Sequence, residues 1–116
     1  MWSYFAAFFL LIEIAICRSD KPIIHDLLVP SKLVEGEKFY LSCHLNSGKQ
    51  PVSFVWYHSD EPVKPSDNVV IVNNDESSQL TIKEMHLADS GPYVCKVENA
   101  HGSDSRRVDL KLNGRF

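Results

Sequence analysis

Seven residues constrain this chain most: Asp89-Ser90-Gly91-Pro92-Tyr93-Val94-Cys95. They read Asp-x-Gly-x-Tyr-x-Cys, a tight corner running into a strand. Gly91 has no Cβ to clash as the backbone turns. Tyr93 and Cys95 are two apart, so on a strand they share a face. A tyrosine placed two residues before a cysteine at such a corner buries its ring and hydrogen-bonds nearby backbone through its hydroxyl. A second strand is written upstream, where Phe39, Leu41, Cys43 and Leu45 alternate at period two. Between the two cysteines, Val52, Phe54 and Trp56 form one face of a third strand, and Ser53, Val55 and Tyr57 form the other. Leu80 and Ile82 repeat the inward phase in a later strand. The pattern predicts an all-β chain of short strands separated by turn residues.

With these residues in view, the span from about 22 to 112 resembles an I-set immunoglobulin domain. It is most similar to single domains of the Dscam-like (Down syndrome cell adhesion molecule-like) proteins of arthropods and their neural cell-adhesion relatives. The resemblance rests on the order Cys43…Trp56…Cys95 and on Leu33-Val34-Glu35-Gly36-Glu37 before the first cysteine strand. It rests further on Phe54-Val55-Trp56-Tyr57, on Leu80-Thr81-Ile82, on the 89–95 corner and on Asn99-Ala100-His101-Gly102. It implies an immunoglobulin-like two-sheet Greek-key sandwich with one inter-sheet disulfide, Cys43–Cys95, against which the Trp56 indole packs. Trp56, Tyr93, Asp89, Gly91 and Leu80 are then the core signature. Closing so long a loop restricts the unfolded chain by about 4 kcal/mol in the chain-entropy model, which is comparable to the net stability of a small domain. Two reduced, buried thiols are the alternative. The function implied is recognition at cell surfaces: adhesion between like or unlike molecules, axon guidance or neuronal recognition. A second expectation is a secreted single-domain immune or signalling modulator that binds a receptor or a foreign surface.

Residues 1–17 are of a different kind. Phe5-Ala6-Ala7-Phe8-Phe9-Leu10-Leu11-Ile12 and Ile14-Ala15-Ile16 form an apolar run shorter than the roughly 20 residues of an ordinary membrane span. The run fits a secretory signal, with Ala15 and Cys17 as the small residues before a cut ahead of Arg18. No Lys or Arg precedes it and Glu13 interrupts it, so a retained anchor is the competing reading. Cleavage removes Cys17 and turns three cysteines into an even pair, as a disulfide in an oxidising space requires. The expected organisation is a signal peptide at 1–17, one domain at 18–113 and a tail or linker start at 114–116. The expected location is secreted. A membrane enters only through an uncleaved 1–17 or a longer parent chain.

Several local expectations follow. Ile23, Ile24, Leu27, Leu28 and Val29 begin a first strand that Pro30 breaks, because proline donates no hydrogen bond to a ladder. In the I-set frame Leu33-Val34 then crosses to the other sheet. Residues 58–68 are polar and proline-rich and hold one short edge strand, where a variable-type domain needs two more. Val69-Val70-Ile71-Val72 is a short edge strand. Met85 and Leu87 are expected in the core below the corner. Asn99-Ala100-His101-Gly102 is expected to turn a hairpin with Asn and Gly at positive φ. Val108, Leu110 and Leu112 share one face of the last strand.

No pattern points to catalysis. The formal net charge is −3 with both signs interspersed, which argues against nucleic acid as a partner. The histidines at 25, 44, 58, 86 and 101 form no His-x-x-x-His or similar spacing, so no metal, cofactor or small-molecule substrate is expected. Asp89 is expected to cap the corner. The expected partner is a protein, either a cell-surface molecule or a second copy. Two surfaces are candidates. One is the sheet face bearing Tyr57 and Val55, since aromatic residues are enriched at interfaces. The other is the loop pair 47–51 and 100–103.

Overall fold

The structure is a computed structural model and describes residues 20–30 and 32–112. The signal segment at 1–17 and the tail at 114–116 lie outside the described residues, as do Arg18 and Asn113 at the expected domain ends. Eight strands form among the described residues: β1 (Ile23–Ile24), β2 (Phe39–Ser47), β3 (Ser53–His58), β4 (Glu61–Pro62), β5 (Val69–Asn73), β6 (Ser77–Ile82), β7 (Gly91–Asn99) and β8 (Gly102–Leu110). They pair antiparallel into two four-stranded sheets, β1-β2-β6-β5 and β4-β3-β7-β8.

Alternation decides which side chains meet between the layers. β2 buries Phe39, Leu41 and Cys43 and exposes Tyr40 and His44. β6 buries Ser78, Leu80 and Ile82. β7 buries Tyr93, Cys95 and Val97. Trp56 of β3 stands opposite Cys95 in register. The Cys43–Cys95 disulfide joins β2 to β7 and therefore one sheet to the other. Among the described residues β5 pairs with β6 alone and is the edge strand that the 69–72 pattern predicts. Between β3 and β5 only the two-residue β4 forms, so the extra strands of a variable-type domain are absent among the described residues.

Three local expectations are corrected. Leu87 is not a core residue; it is 69% exposed, whereas Met85 is fully buried. Met85 is held under the sheets by its own backbone, donating to Glu37 O and accepting from Gly36 N–H. The chain then tightens into a 3-10 turn over Leu87–Asp89 that turns Leu87 outward. Leu33-Val34 forms no ladder among the described residues. Leu33 still enters the core, but Val34 O accepts from Glu37 N–H in a turn. Asn99 takes no positive φ; among the described residues the non-glycine residues that do are Ser59 and Asp60. Its side chain closes the hairpin instead, Oδ1 accepting from His101 and Gly102 N–H at 2.8 and 3.1 Å.

Candidate functional site

The corner is built as its residues require. Gly91 has φ +115°, in the region that side chains with a Cβ avoid. Asp89 Oδ2 accepts from His86 N–H at 2.8 Å and closes the 3-10 turn. The Tyr93 hydroxyl donates to Asp89 O at 2.7 Å. Burial, and then the Asp89 charge, push the Tyr93 hydroxyl pKa well above its ordinary value, so it stays a donor. His58, opposite Tyr93 in register, stacks on its ring with centroids 4.2 Å apart and planes 6° from parallel. One His58 ring nitrogen lies 2.8 Å from Ser90 O. These are structural contacts, and they fix where β7 leaves the corner.

Two polar residues that sequence reasoning missed also hold the sheets together. Ser78 is buried, and its Oγ accepts from the Trp56 indole N–H at 2.8 Å, linking β6 to β3. Its signal was a serine on the inward phase with Leu80 and Ile82. Ser78→Ala is expected to leave the indole N–H unpaired and cost about 1–3 kcal/mol. A chemical-denaturation midpoint equal to that of the parent would contradict this. Asp104 is the second. Its Oδ2 accepts from Ile24 N–H at 2.9 Å, tying β8 of one sheet to β1 of the other. Its Oδ1 accepts from Ser105 N–H and from Arg106 Nη1. Burial alone would raise the Asp104 pKa, but these donors and the Arg106 charge outweigh it and hold the carboxyl below its ordinary value. Arg106 also reaches Asp26, with Nε to Oδ1 at 3.4 Å. The signal here was a pair of charges at 104 and 106, in phase with Val108 and Leu110.

The outer face of β4-β3-β7-β8 is the first candidate surface. Tyr57 is half-buried and stands between Val94 on β7 and Pro62 on β4. Val55 is 41% exposed and faces Lys96. Arg107 pairs with Val94 and Ser105 with Lys96 on β8. An apolar strip of Pro62, Tyr57, Val94 and Val55 is thus bordered by Lys96, Glu98 and Arg107. Tyr40 lies in the other sheet with Lys38 Nζ 5.3 Å from its ring centre, so Tyr40 and Tyr57 do not share a face.

The second candidate surface is one end of the sandwich. Asn99 Nδ2 donates to Asp20 O at 2.7 Å and to Lys49 O at 2.9 Å. Gly48 packs against the start of the domain: at φ +127°, an added Cβ would lie 2.6 Å from Pro22 Cα. The 47–51 and 100–103 loops are therefore braced together beside residues 20–22. Among the described residues, no group of three or more His, Cys, Asp or Glu converges as a metal site.

The two bridged sheets, the buried tryptophan and the tyrosine corner agree with the family comparison, in which residues 22–112 match the immunoglobulin I-set domain. The chain belongs to the immunoglobulin I-set family. Among curated relatives of this I-set chain, the cell adhesion molecule Dscam2 of Drosophila melanogaster is 33% identical over 85 residues, covering 67% of the chain and 4% of that protein. A smooth-muscle myosin light chain kinase of Gallus gallus is also 33% identical over 85 residues, covering 73% of the chain and 4% of that protein. A titin homolog of Caenorhabditis elegans is 28% identical over 103 residues, 88% of the chain. The chain thus spans only a small fraction of each relative's length. Among solved structures, the Dscam1 Ig7 domain, isoform 5, superposes with a TM-score of 0.76 at 24% identity, covering 83% of the chain and all of that domain. The titin M4 domain does so with a TM-score of 0.73 at 22% identity, covering 84% of the chain and all of that one. These structures share the I-set fold, and the relatives range from an adhesion molecule to a kinase.

Proposed function

We propose that this I-set domain is a non-enzymatic recognition module acting outside the cell. It binds a protein surface, either a second copy or another cell-surface molecule, through the outer face of β4-β3-β7-β8. The observation that carries this reading is the Tyr57 strip, an aromatic ring flanked by Val94, Pro62 and Val55 with charges at its border. An apolar centre with a charged rim is the anatomy of a protein interface. A ring already half-packed on its neighbours also loses little rotamer freedom on docking, which lowers the entropic cost of association. Similarity to an adhesion molecule supports the same reading. A stable interface takes roughly 800 Å² from each partner, so a single domain must commit most of one face to it. Repetition of weakly binding domains along a longer chain would raise avidity.

The β1-β2 face is a second reading, because Ile23, Leu28 and Tyr40 there are 44%, 63% and 41% exposed. One experiment separates the two. Beads coated with the protein are tested for aggregation and for binding to intact cells, alongside light scattering in solution. Tyr57→Ala is expected to weaken binding by about tenfold or more, as truncation of an interface anchor costs 2 kcal/mol or above, with an unchanged melting temperature. Leu28→Ser is expected to change neither. Unaltered binding by Tyr57→Ala at unaltered stability would remove that face, and loss with Leu28→Ser alone would transfer the site to the other sheet.

A further inference from the structure

The five histidines are far apart in sequence, but the fold brings two of them together. In β1 and β2 the register pairs Ile24 with Leu45. One step on, His25 N–H donates to His44 O at 3.0 Å, and both residues line one groove, so His25 and His44 lie side by side across the two strands. Ile24 and Cys43, next to them in the chain, are buried, whereas His25 and His44 are exposed. Both imidazoles therefore project from the same outer face. Directly opposed residues of an antiparallel pair have Cβ atoms about 4.5–5.5 Å apart. Two imidazole nitrogens bound to one ion at about 2.0–2.1 Å each stand roughly 3 Å apart, a separation that facing rings at this spacing can reach by rotation about their side-chain bonds.

The surroundings leave this pair open. His25 and His44 line one shallow groove of about 450 Å³ with Leu28 and Leu45. The nearby Asp26 carboxylate is held by Arg106, at 3.4 Å from Nε.

We propose that His25 and His44 form a two-imidazole site for a divalent transition-metal ion of the zinc or copper class on the outer face of the β1-β2 pair. Imidazole selects these ions over magnesium or calcium, which take oxygen ligands. Two protein ligands leave the remaining coordination positions to water, so the site is open and binds more weakly than a closed structural centre. It is distinct from the Tyr57 face and does not rest on the adhesion reading. The sequence hid it because the two ligands are brought together by strand register and not by spacing along one element.

The test is calorimetric titration of the purified chain with zinc chloride, alongside NMR of the histidine ring protons. The expected result is one ion per chain, with the His25 and His44 ring signals shifting in step. His25→Ala and His44→Ala are each expected to lower affinity by at least the roughly 10–100-fold that loss of an outer-shell partner costs a metal site. His86→Ala and His101→Ala are expected to bind as the parent does. Both ligands are exposed, so circular dichroism and melting temperature are expected to be unchanged in all four variants. Parental zinc affinity in either His25→Ala or His44→Ala overturns the proposal, as does the absence of zinc binding by the parent.

Discussion

Replacing Cys43 and Cys95 together by alanine is expected to lower stability by about 2–5 kcal/mol, the range for removal of a native disulfide from a small domain. The two positions are 52 apart, and both sulfurs are fully buried. Without the bond the unfolded ensemble regains the freedom of a long open loop, worth about 4 kcal/mol on the chain-entropy model. The native state also loses two sulfurs from the core that Trp56 shares, which leaves a gap the surrounding layers only partly close. In a domain of this size each kcal/mol moves the melting temperature by about 4–8 °C, so the midpoint is expected to fall by roughly 8–40 °C. Calorimetry under identical non-reducing conditions measures it. A double variant that melts within a degree or two of the parent would mean that the bridge contributes nothing to the fold.

Trp56→Ala is expected to have an effect of similar size, about 3–5 kcal/mol, or to abolish folding. The indole is 2% exposed and lies opposite Cys95 in register. Its removal opens a large cavity between the sheets and strands the Ser78 hydroxyl in apolar surroundings. Trp56→Phe refills much of the volume but cannot donate to Ser78. It is expected to fall between the parent and Trp56→Ala, close to Ser78→Ala. Urea unfolding of the three variants orders them, and a Trp56→Ala midpoint equal to that of Trp56→Phe would contradict the cavity account.

Much of the frame was legible because it is written at period two. Phe39, Leu41 and Cys43, or Leu80 and Ile82, declare their inward phase without any knowledge of their partners. Asp89, Gly91 and Tyr93 declare the corner because each serves a different local need: a cap, a positive φ and a hydroxyl directed at backbone. What sequence could not supply were contacts that arise only when two distant strands meet. Asp104 binding Ile24 N–H, Ser78 binding the indole and His25 facing His44 all depend on register between elements. Leu87 is apolar and near the corner yet exposed, because the 3-10 turn points it outward while Met85 takes the buried place. Asparagine in a hairpin serves equally at positive φ or as a side-chain cap, and Asn99 does the second.

The proposed role outside the cell requires a sandwich whose layers are joined by Cys43–Cys95 in a space where thiols are oxidised. Peptide mass spectrometry without reduction, on protein harvested from the medium of producing cells, tests this directly. The account predicts a linked peptide pair containing Cys43 and Cys95 and little free thiol at either position. Recovery of both cysteines as free thiols in that material, or failure of the protein to reach the medium, would contradict it.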